Sequence, residues 1–375
     1  MNLAGLEKAF MNNFTAQGAY RCIDCGYLLS PCGNNLSCVK CSLNFEVRSG
    51  IPVLTKNERY WCNVPKETMA RLNQDAEKGN WKQAVSMHIS GNVAGHISDE
   101  RRIDFRYLLP SLKAKKIIDI GAMWGGIAIP LAKYSGELHA VDATFETLRF
   151  LSIRAKQDGI GNLRIALASA HNLPFSDGYF DAALMIGVLE WLGSDHDFIV
   201  AKHYGKAMDG VPSKKNNPAA LQLKALLQAH RVLKPGGTLL VAIENRFFYK
   251  HFFGAPDPHT ALPFSSVLPR PLADISMRLF RNQAYTEYTY SYNGYRKLFS
   301  EAGFEKLSFH AALPSYRELE VIIPLDENSY AKYYYENFGL KDIRGIRRII
   351  PELIVKLGLM KYFVPSFLIT AEKRA

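Results

Sequence analysis

From Lys115 onward, short apolar runs alternate with segments of helical length, a pattern typical of a parallel sheet with helices on both faces. The predicted strands are Lys116–Ile120, 137–141 ending at Asp142, 163–168, 179–186 and 238–243, and the predicted helices are 126–133 and 219–233. The fold class is therefore α/β, with a doubly wound parallel sheet.

The carboxyl-terminal third is less regular. The alternation from Tyr288 to Tyr292 is typical of a half-buried strand, although the tyrosine clusters 285–295 and 330–335 could also stack on sugar rings or bases. The run 366–372 predicts a final strand, antiparallel to the rest of the sheet. The chain between Pro314 and Pro365 is then an insertion that covers the ligand site.

Residues 343–357 have the spacing of an amphipathic helix. Its apolar positions are Ile343, Ile346, Ile350, Leu353 and Leu357, and its basic positions are Arg344, Arg347, Arg348 and Lys356. Proline should interrupt this helix at Pro351. Such a segment packs its apolar stripe on its own domain, or it lies on an anionic membrane surface.

Length and composition exclude several classes of protein. The chain has 375 residues, of which 48% are hydrophobic and 22% are charged, so it folds around a core in two to three domains and is not mainly disordered. The uninterrupted apolar runs are all shorter than the roughly 18–20 residues of a spanning helix. The first residues lack the pattern of a signal peptide. We therefore expect a cytoplasmic, soluble protein.

The net charge is +11, which predicts an anionic partner without naming it. The excess is uneven, because residues 341–375 carry eight basic and three acidic side chains. A general nucleic-acid-binding face would spread its charge more widely, so the charge distribution does not by itself favour RNA.

Four cysteines form two pairs, each separated by two residues: Cys22 with Cys25, and Cys38 with Cys41. Two such turns brought together build a closed tetrahedral thiolate site, which is typical of structural zinc. A pair of disulfides is the alternative, and a cytoplasmic location argues against it. The spare cysteines 32 and 62 are not expected to be ligands. Residues 1–55, with a strand and a glycine turn after the last cysteine, resemble the zinc ribbons that accompany several RNA methyltransferases.

A glycine-rich turn follows the first predicted strand, in the run from Asp119 through Gly121 to Gly125 and Gly126. Such a turn lets a ligand approach the backbone, and an acid about twenty positions further on can bind ribose hydroxyls. Asp142 stands 21 positions after Gly121. The turn alone would also fit a nicotinamide dinucleotide.

Further motifs distinguish the two cofactors. The turn reads acid-x-Gly-x-x-x-Gly, and it is followed by the segments 169–175, 179–191 and 231–237 in order. In these five successive motifs, residues 115–245 resemble a class I S-adenosylmethionine-dependent methyltransferase. The resemblance implies a seven-stranded Rossmann-like methyltransferase sheet, preceded here by a small zinc-ribbon domain, with S-adenosylmethionine and structural zinc as cofactors.

The resemblance also implies which residues hold S-adenosylmethionine. They are Asp119, Gly121 and Gly125 at its methionine and ribose part, Asp142 at the ribose hydroxyls, Ala170 and His171 beside the adenine, and Ile186 over the adenosine. Two positions depart from the family, which usually has glycine where Met123 stands and an acid where Ser169 stands. Met123 narrows the space beside the cofactor, and Ser169 cannot hold the adenine amino group as a charged acceptor would.

The segments after the fourth and fifth predicted strands bear on which molecule accepts the methyl group. The run Ile186-Gly-Val-Leu replaces the Asn/Asp-Pro-Pro-aromatic turn of adenine and cytosine amino methyltransferases, and so argues against that class. The ionisable loop 243–260, with the motifs flanking it, resembles bacterial methyltransferases of surface-glycan and glycosylated-metabolite pathways over residues 95–325. This resemblance implies O-methylation of a small-molecule or lipid-linked saccharide. The alternatives are a ribosomal or transfer RNA methyltransferase and a catalytically silent interaction module.

A hydroxyl acceptor needs a general base, and His259 is the first candidate and Glu244 the second. Alternatively, His259 braces its loop and Glu244 forms a salt bridge with Arg246. The histidines 196 and 203 flank another loop at this end of the sheet and could serve equally. A divalent metal could be held by Asp257 or Glu244, without a ligand spacing that supports it.

These patterns together divide the chain into four parts. The predicted parts are a zinc ribbon over 1–58, a helical linker or cap over 59–112, the methyltransferase domain over 113–313 and 364–375, and an insertion or cap over 314–363.

Overall fold

The computed structural model describes residues 19–62, 64–193, 198–199, 217–339 and 345–375. The strands in these ranges are β1 Leu29–Cys32, β2 Asn35–Cys38, β3 Asn44–Phe45, β4 Val47–Arg48, β5 Ile51–Leu54, β6 Trp61–Cys62, β7 Lys116–Ile120, β8 Glu137–Asp142, β9 Leu163–Ala168, β10 Phe180–Ile186, β11 Phe198–Ile199, β12 Leu233–Glu244, β13 Phe304–Pro314, β14 Leu319–Pro324 and β15 Ser366–Lys373. The α-helices are Lys66–Lys78, Trp81–His88, Asn92–Ser98, Ala128–Ala132, Phe145–Gln157, Pro218–Val232, Arg270–Arg281, Tyr292–Glu301, Asn328–Tyr334, Ile346–Lys356 and Met360–Phe363. Short 3-10 turns span Glu100–Leu108, Leu189–Gly193 and Tyr249–Phe253, and a π turn spans Tyr335–Gly339.

A ten-stranded sheet forms the centre of the molecule, in the order β14-β13-β15-β12-β10-β7-β8-β9-β5-β4. The strands β9, β8, β7, β10 and β12 are parallel, and β15 runs antiparallel between β12 and β13. Parallel strands buried on both faces are continuous apolar runs, as the buried residues of β7 and β12 show. The predicted α/β class and the final antiparallel strand are confirmed, and β4, β5 and β14 widen the expected seven-stranded sheet.

The order of the strands creates a switch point between β7 and β10. From β7 the chain moves through β8 to β9 on one side, and from β10 it moves to β12 on the other. Helix Phe145–Gln157 buries Leu148 and Leu151, and helix Pro218–Val232 begins where the Asn217 side chain accepts a bond from the amide of Ala219. Open α/β sheets bind ligands at such a switch point, beyond the carboxyl ends of the strands.

The amino-terminal segment is joined to this sheet. Its first three strands form a small separate sheet, but β5 pairs in parallel with β9, placing Val53 opposite Leu167 and Leu54 opposite Ala168. The amide of Arg21 also donates to the carbonyl of Pro174 at 2.9 Å. The predicted zinc-ribbon segment 1–58 therefore contributes to two sheets: β1 to β3 form the small one, and β4 and β5 belong to the central one.

The strand predicted over Tyr288–Tyr292 is wrong. Tyr290 makes only an isolated bridge to Asn245, and a helix begins at Tyr292. Ser291 caps this helix by accepting a bond from the amide of Gly294, and Tyr292 and Tyr295, three positions apart, are buried on one face. The Ser291 cap and the helical spacing of Tyr292 and Tyr295 therefore favour a helix here, although the preceding residues alternate as in a strand.

The chain after Pro314 adds a strand and a helical layer. Helix Ile346–Lys356 runs through Pro351 without the predicted interruption. Pro351 is the sixth residue of this helix, where it removes one interior hydrogen bond, and the helix nevertheless continues to Lys356. Val355 is buried, whereas Leu353 and Leu357 are more than half exposed. The predicted positions Ile343 and Arg344 lie outside the described residues. Among the described helices, each is too short or too polar to cross a membrane.

Candidate active site

A cavity of about 490 Å³ opens at the switch point. Five of the predicted cofactor residues line it, namely Gly121, Asp142, Ala170, His171 and Ile186. Its walls also include Lys56 and Trp61 from the amino-terminal third and Tyr316 and Arg317 from the insertion. A cavity of this size and position suits a nucleoside-sized ligand.

The turn after β7 brings backbone against the cavity. Gly121 has φ +84°, and a Cβ atom there would lie 2.4 Å from a methyl carbon of Val188. Met123, where the family usually has a glycine, has φ +42°. The turn therefore holds this residue in the left-handed backbone region, which glycine adopts most readily. Its amide donates to Asp142 Oδ2 at 2.9 Å, which fixes the turn against the end of β8.

Two predicted residues do not line the cavity. Asp119 is buried within β7, and Gly125 packs so closely that a Cβ atom there would lie 2.2 Å from Leu151 Cδ1. Gly125 therefore allows the turn to pack on helix Phe145–Gln157. On this geometry its part in the site is indirect.

A pair of buried carboxylates, Asp119 and Asp142, underlies one end of the cavity. Burial raises the pKa of Asp142 to about 6, against the hydrogen bonds from the amides of Met123 and Thr144. Burial and the neighbouring charge of Asp142 raise the pKa of Asp119 to about 7, and Arg102 opposes this rise. Asp119 Oδ2 has no hydrogen-bond partner among the described residues. This end of the cavity therefore favours a ligand that brings positive charge or hydrogen-bond donors.

The turn after β9 forms another part of the cavity wall. Ser169 Oγ accepts a bond from the amide of His171 at 3.2 Å, so the hydroxyl that replaces the usual acid is used to hold the turn. The His171 ring reaches the carbonyl of Leu192 through Nε2 at 3.1 Å. Ala170 lies between them on the cavity wall. Ala168 and Ala170 give this stretch of the wall small apolar side chains, which leave room for a flat ring.

The two candidate bases lie together in a second cluster behind the cavity wall. The side chain of His259 is fully buried, with Nε2 3.4 Å from Glu244 Oε2 and 3.8 Å from Glu190 Oε1. Its Nδ1 is 3.4 Å from Asp257 Oδ1. Burial opposes a charge on His259, but the charge of Glu244 and the three carboxylate contacts outweigh it and hold the pKa well above the usual value.

Tyr316 and Arg317 connect this cluster to the cavity. The Tyr316 hydroxyl donates to Glu190 Oε1 at 3.4 Å, and Arg317 Nη2 lies 3.2 Å from Glu244 Oε1. Gly187 makes room for the phenol, since a Cβ atom there would lie 2.6 Å from its oxygen. His259, Glu244 and Glu190 do not line the cavity themselves.

The salt bridge between Glu244 and Arg246, given above as an alternative role for Glu244, is absent among the described contacts. Arg246 donates instead to the carbonyls of Ser266 and Leu268. The alternative bases His196 and His203 lie outside the described residues. Tyr316 and Arg317 were not among the site residues predicted from the sequence, because they lie about 190 positions after the glycine turn and no local spacing links them to it.

The four paired cysteines converge. Their sulfur atoms are 3.5 Å apart between Cys22 and Cys41, 3.4 Å between Cys25 and Cys38, and 3.7 Å between Cys25 and Cys41. All six cysteines are free of disulfides. A tetrahedral zinc–thiolate site with bonds of about 2.3 Å separates its sulfurs by about 3.8 Å, so the cluster fits this ion after a small expansion.

Comparisons with known proteins bear on the same region. Residues 111–260 match the sequence family described as "Methyltransferase domain". The chain is 27% identical over 184 residues to norajmaline N-methyltransferase of Rauvolfia serpentina, covering 48% of this chain and 59% of that protein. It is 38% identical over 66 residues to the uncharacterized methyltransferase YcgJ of Bacillus subtilis, covering 18% of this chain and 26% of that one.

Among solved structures, phosphoethanolamine N-methyltransferase 2 of Haemonchus contortus, in complex with S-adenosyl-L-methionine, aligns with a TM-score of 0.42 at 14% identity, over 81% of this chain and 60% of that chain. The chain spans 59% and 26% of the lengths of the two curated relatives above. The family match begins just before β7 and ends at Thr260, so it contains the glycine turn, Asp142 and the loop of His259. Residues 111–260 therefore match a methyltransferase domain, and they lie in a mixed α/β sheet of the Rossmann-like methyltransferase fold.

The buried carboxylate of Asp119 predicts a stability effect that depends on pH. Its pKa of about 7 lies above the roughly 3.9 of an unfolded aspartate, so the folded state holds the proton more tightly and loses stability as the pH rises from about 4 to 7. Asp119→Asn cannot ionise. In the ligand-free protein we expect it to gain about 1–3 kcal/mol in urea unfolding at pH 8, and progressively less towards pH 4.

Asp181→Asn is the matched control. Asp181 accepts bonds from Lys234 and from the amide of Lys116, and these outweigh burial and lower its pKa. Its replacement should cost stability at pH 8. A loss of stability for Asp119→Asn at pH 8 would show that the carboxylate is compensated in the ligand-free protein.

Proposed function

We propose that the protein is an S-adenosylmethionine-dependent methyltransferase that O-methylates a saccharide or a glycosylated precursor. The observation that carries the proposal is the cavity at the switch point of a methyltransferase domain, with a glycine turn and two buried carboxylates at one end and an aromatic, cationic wall at the other. S-adenosylmethionine supplies an activated methyl group bound to a sulfonium. The protein has to align donor and acceptor and to remove a proton.

The residues present fit this cofactor. We assign Asp142 to the ribose hydroxyls and the turn of Ala170 and His171 to the adenine, and all three residues line the cavity. Asp119 supplies negative charge near the methionine end, where the cofactor carries an ammonium and a sulfonium. Arg102 lines the same cavity, and we assign it to the carboxylate of the methionine part.

The far wall supports a saccharide acceptor. Trp61 and Trp191 both line the cavity, and their rings meet edge to face with centroids 5.2 Å apart. Aromatic faces of this kind pack on the apolar faces of sugar rings, and Arg317 and Lys56 supply donors for hydroxyl or phosphate oxygens. The acceptor in this proposal is either a small molecule or lipid-linked.

For the proton we propose His259 and Glu244, acting as one unit with Glu190. Tyr316 is the member of this group that lines the cavity, and its hydroxyl bonds to Glu190. A proton leaving the acceptor oxygen can pass to Tyr316 while the phenol proton passes to the carboxylate. A positioned base of this kind contributes roughly 10²–10⁴-fold in rate.

Two further parts of the proposal concern the ends of the chain. Helix Ile346–Lys356 exposes Leu353, and Leu357 directly after it is exposed beside Lys356. These side chains support a peripheral contact with an anionic membrane surface, where the protein would meet a lipid-linked acceptor.

The cysteine cluster supports a structural zinc ion, because its sulfur separations fit the tetrahedral geometry.

Loss of zinc should destabilise the whole protein, because the strands after the cysteine cluster continue into the main sheet. For Cys38→Ser we expect metal analysis to find less than one zinc per chain, and the single thermal transition to fall by at least about 5 °C. Cys32→Ser, at an exposed cysteine outside the cluster, is the control and should change neither quantity. An unchanged main transition in Cys38→Ser would indicate an independent amino-terminal domain.

Cofactor binding depends on Gly121. In Gly121→Val the side chain would collide with Val188 and strain a backbone at φ +84°, so calorimetric titration with S-adenosylmethionine should show at least a hundredfold loss of affinity. Gly159→Ala is the matched control, since Gly159 also has positive φ (+70°) but open space around it, away from the cavity. Equal affinities in the two variants would remove the glycine turn from the cofactor site.

The acceptor is tested by following a labelled methyl group from S-adenosylmethionine into nucleotide sugars and lipid-linked saccharides, with ribosomal RNA and small amines as rivals. We expect label in a saccharide, and Glu244→Gln should lower kcat by about 10²-fold or more with cofactor affinity unchanged. Glu318→Gln, at an exposed acid next to Arg317, should keep the rate. Label found in RNA or an amine instead would overturn the saccharide assignment.

A further inference from the structure

Three metal-ligand side chains meet behind the cavity wall, each from a different segment. Glu190 lies in the 3-10 turn after β10, Glu244 is the last residue of β12, and His259 belongs to the loop that follows. One ligand atom from each lies within 4.8 Å of the other two. The cluster thus joins segments whose positions are set by separate parts of the sheet.

The spacing is wider than hydrogen bonds require. Nε2 of His259 is 3.4 Å from Glu244 Oε2 and 3.8 Å from Glu190 Oε1, whereas an N–H···O bond to a carboxylate closes to about 2.7–2.9 Å. Ligands held about 2.1 Å from a common tetrahedral ion stand about 3.4 Å apart. The observed separations are close to those around an ion.

Each of the three side chains also has a polar atom without a partner. Glu244 Oε2 and His259 Nε2, which face one another, have no hydrogen bond in the described part of the chain, and neither has Glu190 Oε2, the oxygen next to the one that lies 3.8 Å from Nε2. The side chains of Glu190 and His259 are fully buried. The other oxygen of each glutamate is occupied, by the Tyr316 hydroxyl and by Arg317. Buried polar atoms are rarely left unsatisfied, so the free atoms indicate a missing ligand between them.

The charges of the cluster point to the same ligand. The carboxylates of Glu190, Glu244 and Asp257 surround His259 and Arg317, so these five side chains carry an excess of one negative charge, or of two once His259 has given up its proton to become a ligand. Burying such an excess is costly unless a cation balances it. One divalent cation does so.

Asp257 completes the arrangement from the far side of the imidazole. Its Oδ1 lies 3.4 Å from His259 Nδ1 and is held by the amides of His259 and Thr260 at 2.8 and 3.1 Å. A histidine that binds a metal through Nε2 commonly donates its other N–H to a carboxylate, which fixes the tautomer and the ring orientation. His259 faces Asp257 in this way.

We propose that Glu190, Glu244 and His259 form a binding site for one divalent cation, with Asp257 orienting the imidazole. Two carboxylates and one imidazole are ligands for Mn²⁺ or Zn²⁺, and they differ from the thiolates of the cysteine cluster. The ion fastens the ends of β10 and β12 and the loop of His259 behind the wall formed by Tyr316 and Trp191. One consequence rests on the proposed function: with the ion bound, His259 serves this group as a ligand, and the proton of the acceptor passes through Tyr316 to Glu190.

The test is a titration of the full-length protein, with its cysteine cluster intact, by Mn²⁺, followed by the loss of the free-ion signal in electron paramagnetic resonance. We expect one Mn²⁺ per chain, at least tenfold weaker binding in Glu190→Gln and Glu244→Gln, and a 10–100-fold loss in Asp257→Asn. Mn²⁺ should also raise the thermal midpoint of the wild type and not that of Glu244→Gln. Glu318→Gln is the control and should bind as the wild type does.

Two results would overturn the site: no bound Mn²⁺ in the wild type up to about 1 mM, or equal binding in the wild type, Glu190→Gln and Glu244→Gln. Titration with S-adenosylmethionine checks that each variant is folded, because the glutamates lie outside the cofactor cavity. The same titration distinguishes a failure of the metal site from a failure of the proposed methyltransferase function. A chain that binds Mn²⁺ but not S-adenosylmethionine would keep the metal site and lose the proposed function.

Discussion

The reversal of strand order between β7 and β10 is the constraint on which the rest of the structure depends. Because the chain leaves these adjacent strands in opposite directions, their first turns part and open a crevice at the carboxyl edge. The turn after β7 can enter that crevice only with positive φ at Gly121 and without a Cβ atom that would meet Val188. The glycine turn, the two acids and the cavity are therefore consequences of one topological feature.

The crevice is maintained at a cost in stability. Asp119 and Asp142 are buried with pKa values raised to about 7 and about 6, so their ionised forms are disfavoured in the ligand-free protein. The cluster of Glu190, Glu244 and His259 repeats this arrangement behind the wall. In both places the fold holds negative charge that a cationic partner would stabilise, which is typical of sites that bind ligands.

The crevice that we propose for the cofactor could be located from the sequence because its determinants are local. A strand, a glycine turn and an acid at a fixed spacing identify the crevice within 30 residues, and Gly121 and Asp142 do line it. Asp119 and Gly125 belong to the same motif, yet they act from behind the surface. The strand predicted at Tyr288–Tyr292 is wrong because the alternation there ends at the Ser291 cap, from which a helix begins.

The wall that we propose for the acceptor could not be predicted from the sequence, because it is assembled from distant segments. Trp61 comes from the amino-terminal third and Tyr316 and Arg317 from the insertion, and only the sheet brings them to one cavity. These three residues all lie outside the range 111–260 that matches the methyltransferase family. The matched range holds the cofactor crevice and the loop of His259, and the segments around it form most of the opposite wall. Selection among acceptors is therefore expected to reside mainly in those outer segments, where relatives that share only the domain can differ without disturbing methyl transfer.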